Sequence, residues 1–221
     1  LGLWNVYALS GNPVNNNSWT DFPSIAVSKD ELFIGVNFYR NNTQNVDEYV
    51  ESGLWQINKT DGYSGAASLN SRFYNNIRDG STNIFNFNPV KGGSTLFGPS
   101  MYFVANRATA LNASTYYLIE INGLLNNTAT SLKVKKCTSN VEYHIPPNAK
   151  QAVNTLKTND ARILGAFLEN NKIQFVHCTG DANGHSSIYH GIIANPESNE
   201  PSVSGKIISD ENTAVIRVVH E

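Results

Sequence analysis

The sequence repeats one order of elements three times: an opening segment, a pair of apolar runs, and a more polar run. The first copy runs from Trp19 to Tyr74, the second from Ser94 to Thr138 and the third from Thr158 to Ser209. With the segments that link the copies, each unit is about 60 to 70 residues long, and an order of elements that recurs along the chain indicates a repeat architecture. The runs are short, rich in Val, Ile, Tyr and Phe, and bounded by Gly, Asn, Asp and Pro, as β-strands are. The repeat therefore predicts an all-β fold.

Antiparallel strands at this period fit the four-stranded blades of a β-propeller. Because a propeller usually closes with about four to eight blades, we expect a partial propeller of about three blades. The strand-like ends, Leu1–Gly11 and Thr213–Glu221, would be parts of further blades. A β-sandwich is the alternative, since about seven to nine short strands also fill one. We treat residues 1–221 as a single all-β segment of a larger propeller, with approximate units 12–80, 81–140 and 141–210.

Three stretches, DFPSIAVSKDELFIGVN, GPSMYFVAN and AKQAVNTLKTNDARILGAFLENNKIQFV, resemble secreted bacterial propeller proteins of the Bacteroidota type. The resemblance covers most of the chain and implies a propeller fold and an extracellular or cell-surface location. Most members have no assigned activity, so the resemblance implies none here. The second unit departs from the pattern, because Pro99 and Asn106 stand closer together than Pro23 and Asn37. Its inner strand is therefore expected to be displaced or lost.

The charge pattern argues against a nucleic-acid partner, and the lengths of the apolar runs argue against a membrane span. The net charge is -2 and the pI about 6.2, and the basic residues are scattered apart from the short run Lys133, Lys135 and Lys136. A nucleic-acid partner is therefore not expected. No apolar run approaches the roughly 18 to 20 residues of a membrane-spanning helix, so we expect no membrane span.

The openings of the units supply the candidate ligand-binding residues Asp21, Asp160, Arg162 and Trp19. In a propeller the inner strands line a channel, so these positions from different blades should converge near one mouth. Asp160 and Arg162 are two residues apart, share a strand face and should pair. We expect a structural pair that ties neighbouring units together, with a ligand clamp and a catalytic role as alternatives. Trp19 follows a polar loop and is the tryptophan expected to be most exposed.

Aromatic side chains are the second feature that suggests binding. They combine a large apolar area with a polar tip and can stack on sugar rings or anchor a protein, although we expect most of them in strand packing. The leading interpretation is an extracellular, non-catalytic module that binds a glycan or a protein partner. The aromatic candidates besides Trp19 are Trp4, Trp55, Tyr39, Tyr63, Tyr74, Tyr116, Tyr117 and Tyr189.

The alternative function is a carbohydrate-active hydrolase, which would need two carboxylates about 5 to 10 Å apart as its acid and base or nucleophile. None of the candidate carboxylates stands in a motif that singles it out, so no catalytic residue is predicted. These candidates are Asp21, Glu51, Glu120, Asp160 and Asp181.

Two cysteines, Cys137 and Cys178, permit one disulfide and exclude a four-cysteine metal site. The stretch from His177 to His190 offers four possible zinc ligands, but their spacing matches no standard zinc site. These ligands are His177, Cys178, His185 and His190. Asp181 and Asn183 resemble the first ligands of a calcium loop, but the later acidic ligand is missing. We expect no cofactor, with calcium as the alternative.

Overall fold

The computed structural model describes residues 4–151 and 153–209. The predicted all-β class is confirmed, because these residues form seventeen strands and one short helix. The predicted strand at Thr213–Glu221 lies outside the described residues. The elements are β1 (Trp19–Val27), β2 (Glu31–Asn41), β3 (Asp47–Asn58), α1 (Lys59–Ser64), β4 (Ser71–Tyr74), β5 (Arg78–Asp79), β6 (Thr82–Asn83), β7 (Asn88–Pro89), β8 (Lys91–Gly92), β9 (Met101–Asn106), β10 (Ala113–Ile121), β11 (Leu132–Tyr143), β12 (Ala149–Lys150), β13 (Thr155–Leu156), β14 (Ile163–Glu169), β15 (Lys172–Gly180), β16 (Ser186–Ala194) and β17 (Val203–Ile208).

Three antiparallel meanders of four strands contain most of the β structure. The first meander is a separate sheet with the order β1-β2-β3-β4. The second (β7-β9-β10-β11) and the third (β14-β15-β16-β17) belong to one nine-stranded mixed sheet. A parallel contact between Ser139 on β11 and Val203 on β17 joins them, and β8 adds to β14 in parallel. Each meander follows chain order, so local hairpins account for almost all pairings.

The first strand of the second meander is displaced, as the sequence suggested. It is β7, which lies upstream of Pro99 and is only two residues long. Asn88 pairs with Val104, and Pro89 pairs with Phe103. Proline has no backbone N–H to donate, which limits how far a strand can extend through that position.

The helix was not predicted, although capping residues bound it. The Asn58 side chain accepts a hydrogen bond from the Thr60 N–H at 2.8 Å, and Gly65 ends the helix with a left-handed φ of 69°. The strand predicted for Leu1–Gly11 is absent from residues 4–11, the described part of that range. Instead, the side chains of Asn5 and Tyr7 donate to backbone carbonyls of α1 and the turn after it. Among the described residues, no helix has the length and apolar character needed to cross a membrane.

The inner strands of the second meander, β7, β9 and most of β10, are buried on both of their faces. On one face Phe103 and Ile119 pack against Phe33 of the first meander. On the other face Tyr116 packs against Phe175 and Tyr189 of the third meander, in a second core cluster. Because both faces are covered, β9 is buried at every position, which explains why MYFVAN reads as one apolar run rather than an alternating one.

His177 lies inside the core between the second and third meanders and is only 2% exposed. Its Nδ1 is 2.8 Å from the Cys178 carbonyl oxygen, which can only accept, so Nδ1 carries the proton. Its Nε2 therefore accepts from the Tyr116 hydroxyl at 2.9 Å. Burial lowers the pKa of His177 to about 4 and keeps the ring neutral. The imidazole is a satisfied core group.

This burial predicts a loss of stability in mild acid. The pKa of His177 falls from 6.5 to about 4 on folding. Between these two pH values the unfolded chain binds a proton at His177 and the folded chain does not. Stability is full above pH 6.5 and declines as the pH falls towards 4, by about 3 kcal/mol in total. We expect the free energy of unfolding, measured in urea, to fall more steeply over this window in the wild type than in His177→Gln. Parallel pH profiles for the two proteins would contradict the assignment.

The possible disulfide between Cys137 and Cys178 is not formed, and both thiols are free. Cys137 faces the core between the second and third meanders, where burial raises the pKa of its thiol to about 12. Cys178 follows the core residue His177 directly on β15, so its side chain points to the opposite face of the sheet. The two sulfur atoms thus lie on different sides of the third meander.

Candidate functional site

The predicted pair of Asp160 and Arg162 is confirmed. Nε of Arg162 donates to one carboxylate oxygen of Asp160 at 2.8 Å, and Nη2 donates to the other at 2.7 Å. The backbone N–H of Arg162 adds a third hydrogen bond at 3.0 Å. The two side chains are only 16% and 9% exposed. This is a two-pronged, charge-assisted contact that occupies both oxygens of the carboxylate.

The segment that carries the pair is fixed to the second meander. The Asn106 side chain at the end of β9 donates to the Ala161 carbonyl at 2.7 Å. The Ala161 N–H in turn donates to the carbonyl of Ala108 at 2.9 Å. The pair therefore lies where the third meander begins, beside the turn between β9 and β10 of the second meander.

A β-bulge in β1 brings the first meander to the same place. The pairing register shifts between Asp21 and Ser24, and Phe22 has a positive φ of 50°. Bulges re-aim side chains, and here the Phe22 ring lies 4.9 Å from the Arg162 guanidinium, while the Phe85 ring lies 5.2 Å from it. Both distances allow cation–π attraction.

The Asp21 carboxylate is close enough to add to the field at Arg162. The hydrogen bond from Arg162 to Asp160 is the main cause that raises the pKa of Arg162, and the charge of Asp21 adds to it. Asp21, Asp160 and Arg162 thus converge from different parts of the chain. The alignment of the unit openings predicted their convergence at the mouth of a channel, but Asp160 and Arg162 line a separate cleft that Asp21 does not line.

A row of four aromatic rings continues from this charged group. Trp19 stacks on Tyr39 with ring centroids 5.6 Å apart, Tyr39 meets Tyr49 at 5.8 Å, and Tyr49 meets Phe85 at 5.1 Å. We call Trp19, Tyr39, Tyr49 and Phe85 the aromatic row. Burial raises the pKa of Tyr39 above its ordinary value, although the Arg162 charge opposes this, so the phenol is neutral.

Trp19 forms the outer end of the aromatic row, and it is not the most exposed tryptophan. Trp19 is 43% exposed and Trp4 is 88% exposed. The prediction was wrong because Tyr39, opposite Trp19 on β2, stacks against it and removes part of its surface from water.

The aromatic row and the charged pair border a cleft of about 590 Å³, which we call the aromatic cleft. Tyr39, Tyr49 and Phe85 line it together with Asp160 and Arg162. Arg107, Asn83, Asn106 and Tyr117 also line it, and Thr82, Ile84, Ala108, Thr109 and Ala110 complete it. The cleft combines apolar rings with a few polar groups, as small-molecule sites do.

Arg107, Tyr49, Phe85 and Asn83 are site residues that the sequence did not reveal. Phe85 and Asn83 come from a stretch with little regular structure, and Arg107 follows the end of β9. Asn83 and Phe85 fall between the first two copies of the repeat, and no motif marks Tyr49 or Arg107 within theirs.

A second, larger cleft of about 730 Å³ lies where the first strands of the three meanders meet. Ile25 of β1, Asn88 of β7 and Leu164 of β14 all line it. Its walls are mainly apolar, and its charged lining residue, Lys91, is at the rim strand β8. The opening strands of the three meanders meet at this cleft, whereas the charged pair, Tyr39, Tyr49 and Phe85 line the aromatic cleft.

The structure separates the carboxylates that were considered for catalysis. Glu120 pairs with Lys135 in the interior at 2.9 Å. Glu51 accepts a hydrogen bond from the backbone of Asn76 at 2.8 Å. Asp21 and Asp160 alone among the candidates share the neighbourhood of Arg162.

Asp181, the proposed first calcium ligand, closes its own loop. One of its oxygens accepts from the N–H groups of Asn183 and His185, each at 2.9 Å, and the other accepts from the Ser187 hydroxyl at 3.3 Å. These donors lower the pKa of Asp181, with the His185 N–H as the largest cause. Within 4–151 and 153–209, no group of three or more His, Cys, Asp or Glu side chains is placed to hold a metal ion.

Comparison with known proteins adds no relative. No protein-family model matches the chain, and no curated protein matches it. Fold and site together define an all-β protein of antiparallel meanders with an aromatic cleft that contains a paired arginine and aspartate.

Proposed function

We propose that this protein is a non-catalytic, extracellular module that binds a glycan in the aromatic cleft. The observation that carries the proposal is the aromatic row lying next to the Asp160–Arg162 pair in one cleft. A sugar ring has an apolar face of C–H groups and an edge of hydroxyl groups. Aromatic rings accommodate the face, and polar side chains of the lining accommodate the edge.

We further propose that the three meanders are blades of a β-propeller. Each consists of four antiparallel strands in chain order, which is the arrangement within a blade. In a β-sandwich, by contrast, two sheets enclose one core and each keeps a solvent face. The inner strands of the second meander are covered on both faces, by Phe33 on one side and by Phe175 on the other. Stacking on both faces favours blades, and the extracellular location rests on the resemblance to secreted propeller proteins.

The state of the carboxylates favours binding over hydrolysis. A glycosidase needs one carboxyl with a raised pKa as its general acid. Both oxygens of Asp160 are occupied by Arg162. Beside the cleft, hydrogen bonds from Lys136 and Tyr117 lower the pKa of Asp79. These environments favour fixed anions rather than a proton donor.

The test is a glycan panel probed with the wild type, Tyr39→Ala and Tyr63→Ala. We expect the wild type to bind at least one glycan and Tyr39→Ala to bind it about tenfold more weakly, because an aromatic contact contributes about 0.5 to 1.5 kcal/mol beyond its buried area. Tyr63 is the matched control, since it is 81% exposed on α1 and does not line the aromatic cleft. Its variant should bind as the wild type does.

Two outcomes would overturn the proposal. Release of new reducing ends from a bound glycan would establish the hydrolase alternative. Absence of binding across the panel, or equal losses in Tyr39→Ala and Tyr63→Ala, would remove the aromatic cleft as a glycan site and leave a protein partner as the remaining alternative.

A further inference from the structure

Arg107 differs from the other cations around the aromatic cleft. Its Nε donates to the Tyr117 hydroxyl at 3.4 Å, and Tyr117 donates to Asp79 at 3.1 Å, which orients the guanidinium. Its two Nη groups donate to none of the described residues, and no described carboxylate lies within 4.0 Å of them. Arg107 is exposed and lines the cleft.

The neighbouring charges are already paired. Arg162 is held by Asp160 at 2.7 Å, and Lys136 is held by Asp79 at 3.1 Å. Two cations line the cleft, Arg162 and Arg107. Arg162 forms an ion pair, so Arg107 is the one whose charge has no direct ion-pair partner among the described residues. A guanidinium with both Nη groups open fits a group with two acceptor oxygens, such as a carboxylate.

The same cleft offers an acceptor for a hydroxyl group. Asn83 donates through Nδ2 to the Val50 carbonyl at 2.6 Å, which fixes the orientation of its amide. Its Oδ1 is buried and accepts no hydrogen bond from the described residues. A buried acceptor without a donor costs free energy, and a sugar hydroxyl can supply the donor.

We propose that the aromatic cleft selects glycans that contain uronic acids, with Arg107 binding the sugar carboxylate and Asn83 accepting from a hydroxyl. The inference rests on the proposed glycan-binding function and specifies its ligand class. The aromatic row takes the apolar faces of the sugar rings in this arrangement. Arg107 then discriminates between an acidic sugar and the neutral sugar of the same shape.

The experiment uses matched glycan pairs that differ only at the carboxyl group. Polygalacturonate, alginate and hyaluronan are each compared with their carboxyl-reduced forms, in which the uronate is converted to the neutral sugar. We expect at least one acidic glycan to bind the wild type about tenfold or more tightly than its reduced form, as a charge-assisted contact would produce. Arg107→Gln should abolish that preference, so that the variant binds the acidic and the reduced glycan with similar affinity. Arg107→Lys, which keeps the charge but loses the fork, should retain only part of it.

Arg40→Gln is the control, because Arg40 is a half-exposed arginine that pairs with Glu48 and does not line the cleft. It should keep the full preference for the acidic glycan. Equal binding of acidic and reduced glycans to the wild type, or an unchanged preference in Arg107→Gln, would overturn this inference and leave the proposed function standing. Failure to bind any glycan would overturn both.

Discussion

Replacing Lys135 with alanine is expected to lower the free energy of unfolding by about 3 to 5 kcal/mol. Lys135 and Glu120 form an ion pair with 2.9 Å between Nζ and the carboxylate, and their side chains are 7% and 11% exposed. Lys135 also donates to the Pro196 carbonyl at 2.8 Å, which connects the second meander to the loop before β17. The variant leaves a buried carboxylate and a carbonyl without their donor. Urea denaturation with an unchanged m-value would measure the loss.

Two further variants show whether the cost arises from the unpaired charge. Glu120→Leu combined with Lys135→Met should be much closer to the wild type than Lys135→Ala, because apolar side chains of similar size often replace a buried pair at little cost. Arg40→Ala breaks a half-exposed pair with a separation of 3.7 Å and should cost under about 1 kcal/mol. If Lys135→Ala costs no more than Arg40→Ala, water reaches the Glu120–Lys135 pair and the interpretation is wrong.

The class of fold could be predicted from the sequence because the signals that indicate it lie close together along the chain. Short apolar runs with Asn-rich turns between them identify antiparallel hairpins, and hairpins supply nearly all of the pairings. The burial of Lys135 follows from its place on β11, because it lies on the same strand face as the buried Cys137 while Lys136 between them is exposed. In the sequence, however, Lys135 is one member of the basic run Lys133, Lys135 and Lys136, and the partner that permits its burial, Glu120, comes from another strand, β10.

The candidate site was predictable in part for the same reason. Asp160 and Arg162 are two residues apart, so their pairing is a local event, and the alignment of unit openings placed Asp21 near them. Arg107 and Phe85 reach the cleft through tertiary packing, which no spacing in the sequence encodes. The two cysteines show another limit of the sequence. Their presence in one chain permits a disulfide, but whether one forms depends on which face of its strand each side chain occupies.

The Asp160–Arg162 pair is expected to stabilise the fold and to affect binding only through the shape of the cleft. Arg162→Ala leaves Asp160 largely buried without its partner and removes the contacts with Phe22 and Phe85. The expected loss is on the order of 3 kcal/mol, near the lower end for buried pairs, because the arginine is partly exposed. Arg162→Met keeps the packing of the stem between the rings and should lose less.

A double-mutant cycle with Asp160→Ala separates the structural role from a ligand clamp. If the residues stabilise the protein through each other, the loss in the double variant is smaller than the sum of the single losses, with a coupling of about 1 to 3 kcal/mol. Glycan affinity of the folded Arg162→Met protein should then stay within about threefold of the wild type, since both carboxylate oxygens already face Arg162 rather than the ligand. If Arg162→Met retains its stability and loses binding about tenfold or more, the guanidinium contacts the ligand itself and the pair is a clamp.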